Sequence, residues 1–135
     1  MGQKKTRLSE TELLIMQLIW DMKRNGAENI TAGDLMLRYP EQIAGRSLTT
    51  VLTLITRLKD KGFISIDKSG RTNYYIPLVR EEEYKNEATD HFISSMYKDS
   101  PKNLIMALFK SKKLSEEEIA ELRDWMAEFR PDKNP

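Results

Sequence analysis

The stretch from Ser47 to Ile76, SLTTVLTLITRLKDKGFISIDKSGRTNYYI, changes its period halfway along and decides the fold. Up to Lys61 the apolar side chains Val51, Leu54, Ile55 and Leu58 recur at helical spacing, and on a wheel of 100° per residue they share one face. That face must be core. The opposite side carries Thr49, Thr53, Thr56 and Asp60, flanked by Thr50 and Arg57, with Leu52 near the solvent border. Gly62 closes the helix. Residues 63–67 and 72–76 are then β-rich runs around Lys68-Ser69-Gly70-Arg71. They read as a hairpin in which Gly70 supplies the positive φ of a tight turn.

Capping signals extend the reading in both directions. Upstream, Ser9 with Glu12 is a capping box that opens an apolar helix ending at Asn25-Gly26, and Thr31 with Asp34 opens a shorter one stopped by Pro40. Three helices and a two-stranded ribbon, in that order, make a winged helix-turn-helix. Downstream the pattern is helical only: a helix from about Glu81 to Lys98, a second from Ser100-Pro101, and a third opened by the Ser115/Glu118 box. The expected architecture is mainly α with a small β-hairpin wing. Residues 1–79 form a winged helix-turn-helix DNA-binding domain and residues 80–135 an α-helical dimerisation domain. The tail, Pro131 to Pro135, is expected to fray.

Composition narrows the function. The 135 residues include 22 Lys+Arg and 21 Asp+Glu, a net charge of +1, so total charge names no partner. Its distribution is uneven: 12 basic against 8 acidic side chains in residues 1–79, and 10 against 13 in residues 80–135. Zero cysteines exclude disulfides, thiolate metal sites and cysteine catalysis. No apolar run approaches the ~20 residues a bilayer requires. The basic start, Met-Gly-Gln-Lys-Lys-Thr-Arg, has no apolar signal core behind it. A cytoplasmic protein without membrane insertion is expected.

Several threonines in one helix call for an explanation, because each β-branched residue costs roughly 0.5 kcal/mol of helix propensity against alanine. Threonine hydroxyls can meet base edges or phosphates, and their methyls pack on the thymine C5-methyl group. The candidate DNA-binding residues are therefore Arg46, Thr49, Thr50, Leu52, Thr53 and Arg57, with Lys68, Arg71 and Asn73 at the wing. An ordinary solvated surface is the alternative for the threonines, and solvated turn charges are the alternative for Lys68 and Arg71. Leu52 suits either a thymine methyl or packing on the wing or the preceding helix.

Catalysis finds no support. His91 is the sole histidine, there is no glycine-rich phosphate loop, and Glu81-Glu82-Glu83 and Glu116-Glu117-Glu118 are explained as helix starts. No enzyme activity, metal or cofactor is expected. The C-terminal segment is too small to bury its large side chains alone, so it needs a partner, most simply a second copy. Candidate dimerisation residues are Phe92, Met96, Leu104, Leu108, Phe109, Ile119, Leu122, Trp125 and Met126. An effector pocket among these apolar residues is the competing reading.

The segments LSETELLIMQLIW, TTVLTLITRLKDKGFI, GRTNYYIPLV and LSEEEIAELRDW, in this order, resemble the penicillinase and methicillin-resistance repressors, the BlaI/MecI family. Copper-responsive CopY-type repressors are related to it. The resemblance runs over roughly residues 7–127 and is most specific from Thr50 to Ile64. It implies a homodimeric winged-helix repressor bound to a dyad operator, of the kind that controls β-lactamase and sensor genes. It places Thr49, Thr50, Thr53 and Arg57 where the family's recognition helix meets DNA. Leu52 departs from the basic or amide residue typical there, and Thr49 from the lysine of some members, so the base preference is expected to differ. In β-lactam-responsive members a sensor-linked protease pathway cuts an Asn-Phe bond. The matching pair here is Leu108-Phe109, a candidate cleavage site that lacks the asparagine. Without cysteine there is no copper hook. Two further readings stay open: a winged helix that docks proteins and never touches DNA, and a regulator released by a small ligand.

Overall fold

A computed structural model describes residues 7–129. The basic start and the tail expected to fray lie essentially outside them. The elements follow in the order α1 (Glu10–Arg24), α2 (Ala32–Arg38), α3 (Pro40–Ile43), α4 (Leu48–Asp60), β1 (Ile64–Asp67), β2 (Tyr74–Pro77), α5 (Glu81–Met96), α6 (Pro101–Ser111) and α7 (Glu116–Glu128). The fold is mainly helical with one antiparallel hairpin, the winged helix-turn-helix arrangement followed by helices alone.

Local chemistry sets the boundaries. The Glu12 N–H donates to Ser9 Oγ at 3.2 Å while the Ser9 N–H donates to Glu12 Oε1 at 2.9 Å, a closed capping box on α1. Thr31 and Asp34 do the same for α2, at 3.0 and 3.3 Å. Pro40 both stops a helix and starts one. It occupies the first turn of α3, where its missing N–H has no partner to lose. Ala44 (φ 52°) and Gly45 (φ 81°) then turn the chain through the left-handed region into α4, whose N-cap Ser47 accepts the Thr50 N–H at 3.1 Å.

The hairpin differs from its expected form. Ile64 pairs with Pro77 and Asp67 with Tyr74, leaving residues 68–73 as a loop longer than a tight turn. Gly70 has no positive φ. The loop is folded instead by Asp67, whose carboxylate accepts the Ser69 N–H at 2.9 Å, an Asx turn that dispenses with left-handed backbone. Tyr75 also donates its N–H to the Ile30 carbonyl at 2.9 Å, fastening the wing to the segment before α2.

Packing follows the apolar stripes. Ile15, Met16 and Ile19 of α1, Leu35 of α2, Val51, Ile55 and Leu58 of α4, and Ile30, Phe63 and Ile64 are all essentially fully buried. The chain divides into two compact units, Met1–Ala88 and Thr89–Pro135. The first therefore includes the opening turns of α5. Tyr84 stands 5.9 Å from the Trp20 ring and 5.6 Å from Phe63, and its hydroxyl accepts the Leu8 N–H at 3.3 Å. Trp20 Nε1 donates to the Val79 carbonyl at 2.9 Å, and Arg24 pairs with Glu81. Helix α5 ends at Met96, short of Lys98, because Lys98 and Asp99 both enter the left-handed region. In the second unit no described side chain is buried. Among the described residues no helix is long and apolar enough to cross a membrane.

Candidate nucleic-acid interface

Helix α4 is held from behind and presented in front. Val51, Leu54, Ile55 and Leu58 anchor it in the core, at 4% exposure or less, while Thr49, Thr50, Leu52, Thr53, Thr56 and Arg57 are all exposed. Its far end is tied down by Lys61. The Lys61 ammonium donates to Glu12 Oε1 at 2.6 Å and to the Arg7 carbonyl at 3.0 Å, so this cation is spent on the fold. Burial pushes the Glu12 carboxyl up, but the Lys61 ammonium and the Ser9 N–H outweigh it and hold the carboxyl below its ordinary value of 4.5.

The remaining charges sort themselves. Lys59 is paired with Asp60 at 3.3 Å. Arg57, Lys68 and Arg71 form no ion pair among the described residues. Arg46 is half-buried, and its Nη1 donates to the Ile43 carbonyl at 2.9 Å, which steadies the guanidinium beside the start of α4. Thr11, Arg46, Thr49, Thr50, Thr53, Leu54 and Arg57 line a shallow hollow between the first turn of α1 and α4. Asp60 puts a carboxylate at the C-terminal end of the outward face, so an anion is better received toward the N-terminal turns, nearer Arg46. Lys68, Arg71 and Asn73 are exposed in the wing loop, where the Ser69 N–H keeps the Asp67 carboxyl below its ordinary range.

The threonine hydroxyls have local uses that spacing alone does not reveal. Thr53 Oγ1 donates to the Thr49 carbonyl and Thr56 Oγ1 to the Leu52 carbonyl, each at 3.0 Å. Ser47 Oγ donates to Thr50 Oγ1 at 3.2 Å. Thr11 and the exposed Leu48 join the surface without having been singled out from sequence. Leu48, at 48% exposure, is recognisable afterwards as the first helical residue, four before Leu52.

The residues expected at a dimer interface are spread over the three C-terminal helices. Phe92, Met96, Leu108, Phe109, Leu122, Trp125 and Met126 are exposed, from 39% for Leu108 to 63% for Met96, while Leu104 and Ile119 are half-buried. Phe92 packs edge-on against Tyr97, and Trp125 lies 4.8 Å from Phe129. Leu108 and Phe109 sit inside α6, so their peptide bond is helical. His91 is exposed on α5, and no group of three His, Asp or Glu side chains that could hold a metal occurs among the described residues.

A core-anchored helix with an outward face, a wing and a two-unit chain define a protein of the winged helix-turn-helix class. The family model described as penicillinase repressor matches residues 8–128. The chain is 35% identical over 124 residues to the methicillin resistance regulatory protein MecI of Mammaliicoccus sciuri, covering 92% of this chain and 96% of that one. It is 29% identical over 124 residues to the penicillinase repressor of Staphylococcus aureus, covering 92% and 94%, and 24% identical over 128 residues to that of Bacillus licheniformis, covering 95% of each. The chain belongs to the penicillinase repressor family, whose members are transcriptional repressors and not enzymes.

Proposed function

We propose that the protein represses transcription as a homodimer bound to a dyad operator in the cytoplasm, with residues 1–79 binding DNA and residues 80–135 joining the copies. The relatives' names make genes of β-lactam resistance the first candidates for its targets. In this reading α4 enters the major groove, which is wide enough for a helix. Arg46, Arg57, Lys68 and Arg71 take phosphates, Thr49, Thr50, Leu52 and Thr53 lie nearest base edges, and Asn73 supports the wing. Two such helices must be spaced by about one duplex turn, ~34–36 Å, or a multiple of it. Repression then follows from excluding polymerase. Release follows from weakening the dimer, since one winged helix alone neutralises few phosphates. A sensor-linked protease acting at Leu108-Phe109 is one route to that, and it would first have to unwind the end of α6.

The single observation that carries this reading is the outward side of α4, lined by threonines and leucines with Arg57 beside them, standing exposed while its other side is locked in the core. The test is fluorescence anisotropy on labelled duplex across a salt series. Each lost phosphate contact lowers the slope of log affinity against log salt by ~0.9. Arg57→Ala therefore reduces it by nearly two for a dimer on a full dyad, and weakens all sequences about equally. An absence of salt-dependent duplex binding by the wild type would overturn the proposal in favour of a protein-docking winged helix.

A further inference from the structure

The threonine side of α4 presents less hydrogen-bonding capacity than its sequence advertises. The hydroxyls of Thr53 and Thr56 are turned back onto the carbonyls of Thr49 and Leu52 at 3.0 Å, where their protons are committed to the helix itself. A threonine in that arrangement has no proton left to donate, and it shows a partner its γ-methyl group beside an oxygen that can only accept. Leu48 and Leu52, one turn apart, add two large apolar side chains at 48% and 40% exposure along the same edge. Leu52, Thr53 and Thr56 together thus form a nearly continuous hydrocarbon strip. Among the described residues the Thr49 hydroxyl alone on this strip has no hydrogen-bond partner within the chain.

In the major groove the one apolar group that projects from a base edge is the C5-methyl of thymine; cytosine offers only a C–H at the same position, and the groups that distinguish the other bases are hydrogen-bond donors and acceptors. A strip of methyl and isobutyl groups placed against donors and acceptors would strip them of water and return nothing. Placed against thymine methyls it buries apolar surface on both sides. We infer that α4 selects its operator chiefly by apolar contact with thymine C5-methyl groups, through Leu52 and the γ-methyls of Thr53 and Thr56, and not by hydroxyl hydrogen bonds to base edges. This rests on the proposal that α4 reads duplex DNA, and it names the feature read.

The test begins with a duplex enriched by the full-length protein from a random pool, then remade with deoxyuridine for thymine. That change removes the methyl groups and leaves every hydrogen-bonding atom in place. Wild-type affinity falls about 4-fold for each contacted methyl, the effect of one buried methyl group. Two substitutions of nearly equal helix propensity separate the parts of the threonine. Thr53→Val keeps the methyl and loses the hydroxyl, and it keeps the full wild-type preference for the thymine over the uracil duplex. Thr53→Ser keeps the hydroxyl and loses the methyl, and it binds the thymine and uracil duplexes with a difference about 4-fold smaller than the wild type's for each copy engaged. Equal wild-type affinity for the two duplexes, or tolerance of serine with failure of valine, overturns the inference and leaves the repressor proposal standing. Failure of the wild type to bind any duplex overturns the proposal beneath it.

Discussion

Glu12 carries a negative charge almost out of water, at 4% exposure, and Lys61 reaches across from the end of α4 to meet it at 2.6 Å. Neither charge stands at a site of chemistry; the pair fixes the far end of α4 to the first turn of α1. Breaking a buried pair costs more than the pair contributes, because the remaining charge stays desolvated. Lys61 is about one-third exposed, so Lys61→Met is expected to destabilise the fold by ~2–3 kcal/mol, below the range for fully buried pairs. The sign with pH follows from the lowered Glu12 carboxyl. Its stabilisation is present above the ordinary value of 4.5 and is lost as pH falls through the lower folded value. Urea unfolding of wild type and Glu12→Gln should therefore differ at pH 7 and draw together at an acid pH below the lowered folded value. A gap of the same size at both pH values would show that packing, and not charge, sustains the difference. Sequence spacing made the outward set Thr49, Thr53 and Arg57 legible, since a wheel needs only the helix. It could not reveal that Lys61 was already committed, because its partner lies 49 residues away and the two meet only after folding. Nor could it distinguish a threonine hydroxyl aimed outward from one bonded to the carbonyl four residues back.

Elements were legible wherever a local signal ended them. The three capping boxes, at Ser9, Thr31 and Ser115, occur at the helix starts where serine or threonine precedes an acidic residue by three. The structure adds to or departs from the expectation where two local rules compete. Pro40 ends α2 and also suits the first turn of α3; Gly70 permits a tight turn, but the Asp67 carboxylate offers the chain another. Helix α5 shows the limit most clearly. Its composition is charged and gives no hint that Tyr84 belongs against Trp20 and Phe63, contacts that cross the change from wing to helix. Binding role and folding unit consequently need not share a boundary. A fragment of residues 1–79 keeps the wing and α4 but loses Tyr84 and the Arg24–Glu81 pair, whereas residues 1–88 keep both. The longer fragment should be more stable by ~2–3 kcal/mol, the loss of a half-buried aromatic with its hydrogen bond. Within the full chain Tyr84→Ala should recover most of that difference and Tyr84→Phe about 0.5 kcal/mol of it. Equal denaturation midpoints for the two fragments would mean that α5 contributes nothing to the winged helix.

At the scale of the whole molecule the proposed pairing of copies concerns the second unit. Its described residues include no buried side chain, yet Phe92, Met96, Phe109, Trp125 and Met126 are each at least 43% exposed. A segment this short rarely sustains a core, and no metal cluster among its described residues or cysteine anywhere in the chain substitutes for one. A symmetric mate would cover these side chains with their own counterparts, and every interface residue then counts twice. Burying a large aromatic and then truncating it costs ~3 kcal/mol or more per copy. Trp125→Ala should remove roughly 6 kcal/mol per dimer and raise the dissociation constant by about four orders of magnitude. Sedimentation velocity over a concentration series reads this directly, with wild type dimeric and the variant monomeric at micromolar protein. The same variant discriminates the role of pairing in DNA binding. A monomer engages one half-site, so its salt slope should fall to about half the wild-type value while its thymine preference within that half-site persists. A Trp125→Ala protein that stays dimeric at submicromolar concentration would place the contact between copies elsewhere. One that becomes monomeric yet binds the full dyad with an undiminished slope would uncouple repression from pairing altogether.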